Sequence, residues 1–311
     1  LPISVLVLLG FFAFVSVSPG GSGTLLHDRT PSLEQARALH TGGLGIRRPA
    51  GLGFSPSDGH FLILADHTSA PEAVDAGTLV LMNFLEEPVG SLSLPEVIPD
   101  PINMTFDASA GRLLLLDTAH GRLMAIPLEP GGDPVGAAGA PYETLLTGPI
   151  AARGMTVDPA TGDLYILDAL ARRLVRIEPN LQWSEPLVAL RRARISYRHL
   201  SGLGPVDLRG IAFDPTGGHL FVMSPSRRML YETTVRGEAL ASYDLATLAL
   251  RDTQAMVFAP SSDATDDAAV TNLFIADTGS DGVQTHGHIF ELSLTQPALV
   301  PGAATLVPSF L

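Results

Sequence analysis

Along the chain, short apolar runs alternate with turn-forming clusters rather than with helical stripes. Five runs stand out: Phe61-Leu62-Ile63-Leu64-Ala65, Leu113 to Leu116, Leu164-Tyr165-Ile166-Leu167, Leu220-Phe221-Val222-Met223 and Leu273-Phe274-Ile275-Ala276. Continuous apolar runs of this length, bounded by turn signals, predict strands buried on both faces. Before each lies a strand of small and apolar residues with an anchor at Phe54, Phe106, Val157, Phe213 or Phe258, at spacings of 52, 51, 56 and 45 residues. Between strand and run sits Asp-Pro-x-x-Gly or a variant, in which Asp and Pro set the turn dihedrals and Gly supplies positive φ. A period near 50 residues, each unit too short to bury its own faces, signifies a repeat architecture.

Each unit continues into a third strand: Arg122-Leu123 to Ile126, Arg173-Leu174 to Ile177, and Arg228-Met229 to Tyr231. Fourth strands are fainter, with Ser91 to Leu94, Trp183 to Leu190 and Ala239 to Tyr243 as candidates. The fold class expected is therefore all-β, a β-propeller with five clear four-stranded blades. Residues 24–48 and 298–311 together supply about one more blade, so six blades, the last completed by the termini, is the expectation. One segment competes with it: Ser32-Leu33-Glu34-Gln35 reads as a helix N-cap with a capping-box Gln, and Gly42-Gly43 ends it.

Four of the five apolar runs end in Asp: Asp66, Asp117, Asp168 and Asp277, with Ser224 in the fourth unit. Asp117 with Arg122 and Asp168 with Arg173 share one spacing; Ser224 with Arg228 is one residue short. In this Asp–turn–Arg-Leu pattern, residues 49–295 resemble the NHL-repeat propellers. The resemblance implies a ring of such blades and is informative about fold rather than function.

Repeat geometry puts Asp66, Asp117, Asp168, Asp277, Arg122, Arg173 and Arg228 on one rim of the ring. Carboxylates around a channel suit Ca²⁺ or a metal-assisted hydrolase. The plainer reading is that each Asp caps its own turn and each Arg braces a neighbour. The last unit carries an insertion, Ser261 to Asp267, whose Asp263, Asp266 and Asp267 form a second candidate Ca²⁺ loop without the EF-hand spacing. His286-Gly287-His288 offers two imidazoles without a third ligand. Asn103-Met104-Thr105 is a glycosylation sequon on an inner strand, where modification is not expected.

Composition narrows the function. The net charge is −13, which repels phosphate backbones and argues against nucleic acid. All nineteen basic residues are Arg, and no cysteine occurs, which excludes disulfides, thiolate metal sites and cysteine nucleophiles. Arg191-Arg192-Ala193-Arg194 with Arg198 is the one basic cluster. No nucleophile elbow, P-loop or zinc-protease motif is present.

Leu1 to Val17 is uncharged and precedes the flexible segment Ser18 to Gly23. Its length suits a secretory signal, a membrane anchor or a segment inserted into a partner. Cleavage after Ser18 would leave Pro19 next to the cut, which favours retention. The expected organisation is residues 1–18 as this apolar segment, 19–48 as a linker with a short helix, and 49–311 as the propeller. The expected function is a non-enzymatic binding or structural module, extracellular, periplasmic or on the cell surface. Its expected partners are another protein or copies of itself through the apolar segment, with membrane contact through Leu1–Val17. The alternatives are a metal-dependent hydrolase or lactonase using the channel, and a membrane-anchored subunit of a larger complex.

Overall fold

The structure, a computed structural model, describes residues 32–65, 78–94, 102–118, 122–128, 150–179, 193–204, 206–267, 269–279 and 287–295. These residues form nineteen strands and one short 3-10 turn, Gly42–Leu44. Blade 1 comprises β2 (Pro49–Ser55), β3 (His60–Ala65), β4 (Thr78–Met82) and β5 (Pro88–Ser93), and blade 2 has β6 (Met104–Asp107), β7 (Arg112–Asp117) and β8 (Arg122–Pro127). Blade 3 holds β9 (Ala152–Val157), β10 (Leu164–Asp168), β11 (Arg173–Glu178) and β12 (Arg194–His199). Blade 4 holds β13 (Arg209–Asp214), β14 (His219–Ser224), β15 (Met229–Thr233) and β16 (Ala239–Asp244). Blade 5 is built from β17 (Thr253–Pro260), β18 (Thr271–Asp277), β19 (His288–Thr295) and, on its outer edge, β1 (Ser32–His40).

The apolar runs explain how the blades stack. Successive side chains of a strand point to opposite faces, so a fully apolar second strand feeds two interfaces at once. Phe61 and Ile63 of β3 pack with Phe274 and Ala276 of β18, while Leu62 and Leu64 pack with Leu113 and Leu115 of β7. Leu114 and Leu116 meet Leu164 and Ile166, and Tyr165 and Leu167 meet Leu220 and Val222. Phe221 and Met223 then meet Leu273 and Ile275. Five second strands thus serve five apolar interfaces, and the fifth returns to blade 1. The ring closes as a five-bladed β-propeller.

That closure corrects the sixth-blade expectation. Of the two segments assigned to it, residues 298–311 lie outside the described residues, and residues 32–40 are a strand of blade 5. The same strand replaces the expected helix. Ser32 to His40 pairs antiparallel with β19 from Ser32↔Thr295 to His40↔His288, with one irregularity between Gln35 and Arg37. Pairing with a strand some 250 residues away outweighs a local capping-box signal, because propensity is a weak local term. In blade 3 the fourth strand is β12; residues 183–190, expected there, lie with all of 180–192 outside the described residues.

Among the described residues, no helix is long and apolar enough to cross a membrane.

Candidate functional site

Propeller inner strands begin at one end of the central channel, and here four of the five begin with a bulge. In β9, Arg153 and Gly154 together lie opposite Leu167 of β10; in β13, Gly210 is the extra residue. In β17, Gln254 and Ala255 oppose Ala276, and in β2 the extra residue is Ala50. A bulge unpairs a residue and re-aims its side chain. Four residues before the anchor, the five blades carry Ala50, Ile102, Arg153, Arg209 and Gln254. Blades 3, 4 and 5 therefore place polar side chains at the mouth. Arg153 is exposed within an otherwise buried strand, and Arg209 and Gln254 are half-buried.

These side chains are joined into a network. Arg209 Nη1 donates to Gln254 Oε1 at 3.2 Å and lies 3.5 Å from Asp252 Oδ1. Gln254 Nε2 donates in turn to Asp252 Oδ1 at 3.0 Å, which fixes the orientation of its carboxamide. Asp252 Oδ2 accepts from Thr278 Oγ1 at 2.7 Å and faces Arg48 Nη2 at 3.8 Å. Side-chain exposures of 36% for Arg209 and 39% for Asp252 leave both open to solvent.

Glycine makes the close approach of the strands feasible. A Cβ on Gly154 would sit 3.1 Å from Gly210 Cα, and one on Gly210 only 2.7 Å from the Gln254 carbonyl oxygen. Both have positive φ, 137° and 69°. Blade 2 lacks the bulge and uses Asn103 instead. Fully buried, Asn103 accepts from Gly154 N–H at 2.9 Å and donates to the Ala152 carbonyl at 3.3 Å, tying blade 2 to blade 3. Its side chain is consumed by this clamp, which leaves the sequon no accessible amide.

Of the described members of the sequence-predicted rim, Asp168, Arg173 and Asp277 have bracing roles. Buried Asp168 accepts from Ala171 N–H at 3.3 Å and from Arg173 Nε at 2.9 Å, while the Arg173 guanidinium stacks over Tyr197 at 4.4 Å. Asp277 accepts from the N–H groups of Arg251 (2.7 Å), Asp252 (3.1 Å) and Gly279 (2.7 Å), and so shapes the loop that carries Asp252. Asp66 lies outside the described residues, as do the side chains of Asp117 and Arg122. In the backbone, Asp117 pairs with Arg122 just as Asp168 pairs with Arg173.

Arg228 is not the counterpart of Arg173. The partner of Ser224 is Met229, so the turn has the same length as in blade 3 and Arg228 corresponds to Arg172. Both adopt positive φ, 51° and 49°. Both reach carbonyls of the segment leading to the next blade, Arg172 to Gly204 and Arg228 to Leu245, Leu248 and Leu250. In blade 4 the carboxylate comes from the other side of the turn: Asp207 accepts from Ser224 Oγ at 2.7 Å and from Ser226 Oγ.

The acidic insertion folds on itself. Asp263 accepts from Thr265 N–H and Oγ1, Asp266 from Ser261 Oγ, and Asp267 from Ala269 N–H. The hydrogen bonds from Thr265 hold the Asp263 carboxyl below the usual range. Among the described residues no three potential ligands are grouped to hold a metal ion. His288 packs against His40 with ring centroids 4.9 Å apart; His286 lies outside the described residues. Of the basic cluster, Arg194 pairs with Glu178 on the edge of blade 3.

Sequence motifs missed Arg48, Arg209, Asp252 and Gln254 because they come from three different blades. The readable signal was the polar residue four places before the anchor in three successive units.

No family model and no curated protein matches the chain. Solved structures match it across most of its length. The PQQ-bound aldose sugar dehydrogenase from Streptomyces coelicolor is 13% identical, covers 86% of this chain and 99% of its own, and has a TM-score of 0.50. Streptogramin B lyase (13% identity, 85% and 98% coverage, TM-score 0.43) and luciferin-regenerating enzyme (10%, 85% and 95%, 0.47) are further neighbours. These are β-propeller proteins, and at such identities the likeness concerns the fold alone.

Proposed function

We propose that the protein is a binding module that receives a small ligand at the bulged mouth of its channel, and that it works outside the cytoplasm. The observation that carries the binding site is the set of inner-strand bulges that bring Arg153, Arg209 and Gln254 to one end of the ring. A bulge interrupts a ladder and sacrifices pairing, so its recurrence in four blades at one level indicates a purpose beyond folding. The described Asp168 is engaged by its own turn and Arg173, and Asp277 by the backbone N–H groups of Arg251, Asp252 and Gly279, so they do not form a convergent carboxylate site of the kind a metal-assisted hydrolase uses. A non-enzymatic role fits these side chains best.

The apolar stretch Leu1 to Val17 supports export and supplies a hydrophobic surface for a partner, which includes another copy of the chain. The binding reading is tested by screening a chemically mixed small-molecule library against the ¹⁵N-labelled protein. Hits are expected to perturb Arg153, Arg209 and Gln254 together. A full set of hits confined to other surfaces would sink it. Export is tested by fusing residues 1–48 to alkaline phosphatase and measuring its activity in intact cells, with an inactive fusion counting against it.

A further inference from the structure

We propose that the ligand taken at the mouth carries a carboxylate, and that the side-on edge of the Arg209 guanidinium grips it; the assignment rests on the mouth being the ligand site. Arg209 is pinned through a single nitrogen. Nη1 faces Gln254 Oε1 and Asp252 Oδ1, and among the described residues nothing accepts from Nε or Nη2. Nε and Nη2 form the guanidinium edge whose two N–H groups run parallel, matching the two oxygens of a planar carboxylate. Pinning Nη1 also stops the ring of donors from rotating, so the edge is presented in one orientation.

Among the described residues, the carboxylates nearest Arg209 in the mouth are already engaged: Asp207, two residues before it, accepts from Ser224 and Ser226, and Asp252 accepts from Thr278 and Gln254. Asp277 lies behind it, nearly fully buried, its oxygens taken by three backbone N–H groups. Asp252 itself is held by Thr278, Gln254 and Arg48, which keeps it from swinging across the Arg209 edge. The Arg209 edge is thus left to an incoming anion, on a chain whose net charge of −13 keeps the surface as a whole from adhering to anions.

The test titrates the intact protein with acetate, succinate and citrate, with succinamide as the uncharged counterpart of succinate and with inorganic phosphate. It reads the Arg209 Nε–Hε and Gln254 carboxamide resonances. Succinate and citrate are expected to shift both signals, and succinamide neither. Arg209→Gln is expected to weaken succinate by about tenfold or more, and Arg209→Lys not to restore it. Arg236→Gln, on the exposed β15–β16 turn, serves as the unchanged control. Succinate affinity that survives Arg209→Gln, or phosphate binding equal to succinate and retained in Arg209→Lys, overturns the carboxylate grip. Mouth signals that respond to uncharged library members and to none of the carboxylates overturn it while leaving the binding site standing. Silence of the mouth toward every compound defeats both.

Discussion

Ser224 donates its hydroxyl to Asp207 across 2.7 Å, and this one contact reverses the polarity of the brace that Asp168 supplies one blade earlier. In blade 3 the carboxylate sits at the end of the second strand and accepts from the turn that follows. In blade 4 the strand end is a fully buried hydroxyl, and the carboxylate arrives from the segment before the inner strand. The two arrangements serve one purpose with donor and acceptor exchanged.

The exchange predicts a non-additive pair. Ser224→Asp alone sets two carboxylates face to face at a buried strand end and is expected to cost about 2 kcal/mol. Asp207→Ser alone leaves Ser224 and Ser226 without their acceptor; because Asp207 is exposed and screened, the loss should be under about 1 kcal/mol. Ser224→Asp with Asp207→Ser restores one acceptor and recovers most of the stability. A urea double-mutant cycle measures the coupling, and simple additivity would show that the two residues do not form one brace. Burial raises the Asp207 pKa, but the hydrogen bonds from Ser226 and Ser224 outweigh it and hold the carboxyl below the usual range. Its contribution is therefore complete above the ordinary carboxylate pKa and disappears as pH falls through the depressed value.

Two glycines with the same φ separate conformational strain from crowding. Gly210 and Gly218 both have φ of 69°, but a Cβ on Gly218 meets nothing within 4 Å, whereas one on Gly210 strikes the Gln254 carbonyl. Gly218→Ala is expected to cost about 1 kcal/mol, the left-handed penalty alone. Gly210→Ala is expected to cost about 3 kcal/mol and to push Gln254 out of its contact with Arg209. Chemical denaturation of both variants, with the Gln254 carboxamide signal as a local reporter, checks the difference; equal losses would mean that β13 and β17 are not held as close as described.

Tyr165 gives a pH prediction at the alkaline end. Burial pushes its phenol up to about 12; Arg176 pulls it down, and Asp163, Asp158 and Glu178 push it further up. A raised folded pKa means that the neutral form is favoured by folding, so the stabilisation is complete below pH 10 and is lost as pH rises toward 12. Ultraviolet titration of tyrosinate should show Tyr165 ionising only in that upper window, after Tyr165→Phe identifies its share of the signal. Ionisation of this share near pH 10 would place the ring in water and contradict the packing between blades 3 and 4.

The sequence announced the ring through its anchors and apolar runs, because those positions are dictated by burial on both faces, which any one blade reveals locally. It misled wherever a partner distant in the chain decides. Ser32 to Gln35 has the local grammar of a helix start, and only β19 makes it a strand. Residue type pairs Arg228 with Arg173, while register matches it to Arg172. Arg209, Gln254 and Asp252 carry no motif at all; what joins them is the bulge, a property of pairing.

β1 supplies the final prediction, since it precedes blade 1 in the chain yet forms the outer edge of blade 5. Leu39 is fully buried in the interface between blades 5 and 1. Arg37 reaches the Phe84 carbonyl at 3.0 Å and the Glu86 carboxylate at 3.2 Å, both on the β4–β5 turn of blade 1. The His40 N–H also donates to Glu86 at 3.2 Å. The strand therefore completes blade 5 and latches it to blade 1, into which the chain then continues through residues 41–48 to β2. A variant beginning at residue 41 should lose the Leu39 packing, the β19 ladder and the Arg37–Glu86 latch together. Its melting midpoint is expected to fall by about 10 °C or more. A synthetic peptide of residues 31–40 added in excess should raise the midpoint again by mass action, and Leu39→Asp in that peptide should abolish the rescue. A truncated variant that melts like the intact chain would show that the inner strands and their apolar interfaces hold the ring shut without the latch.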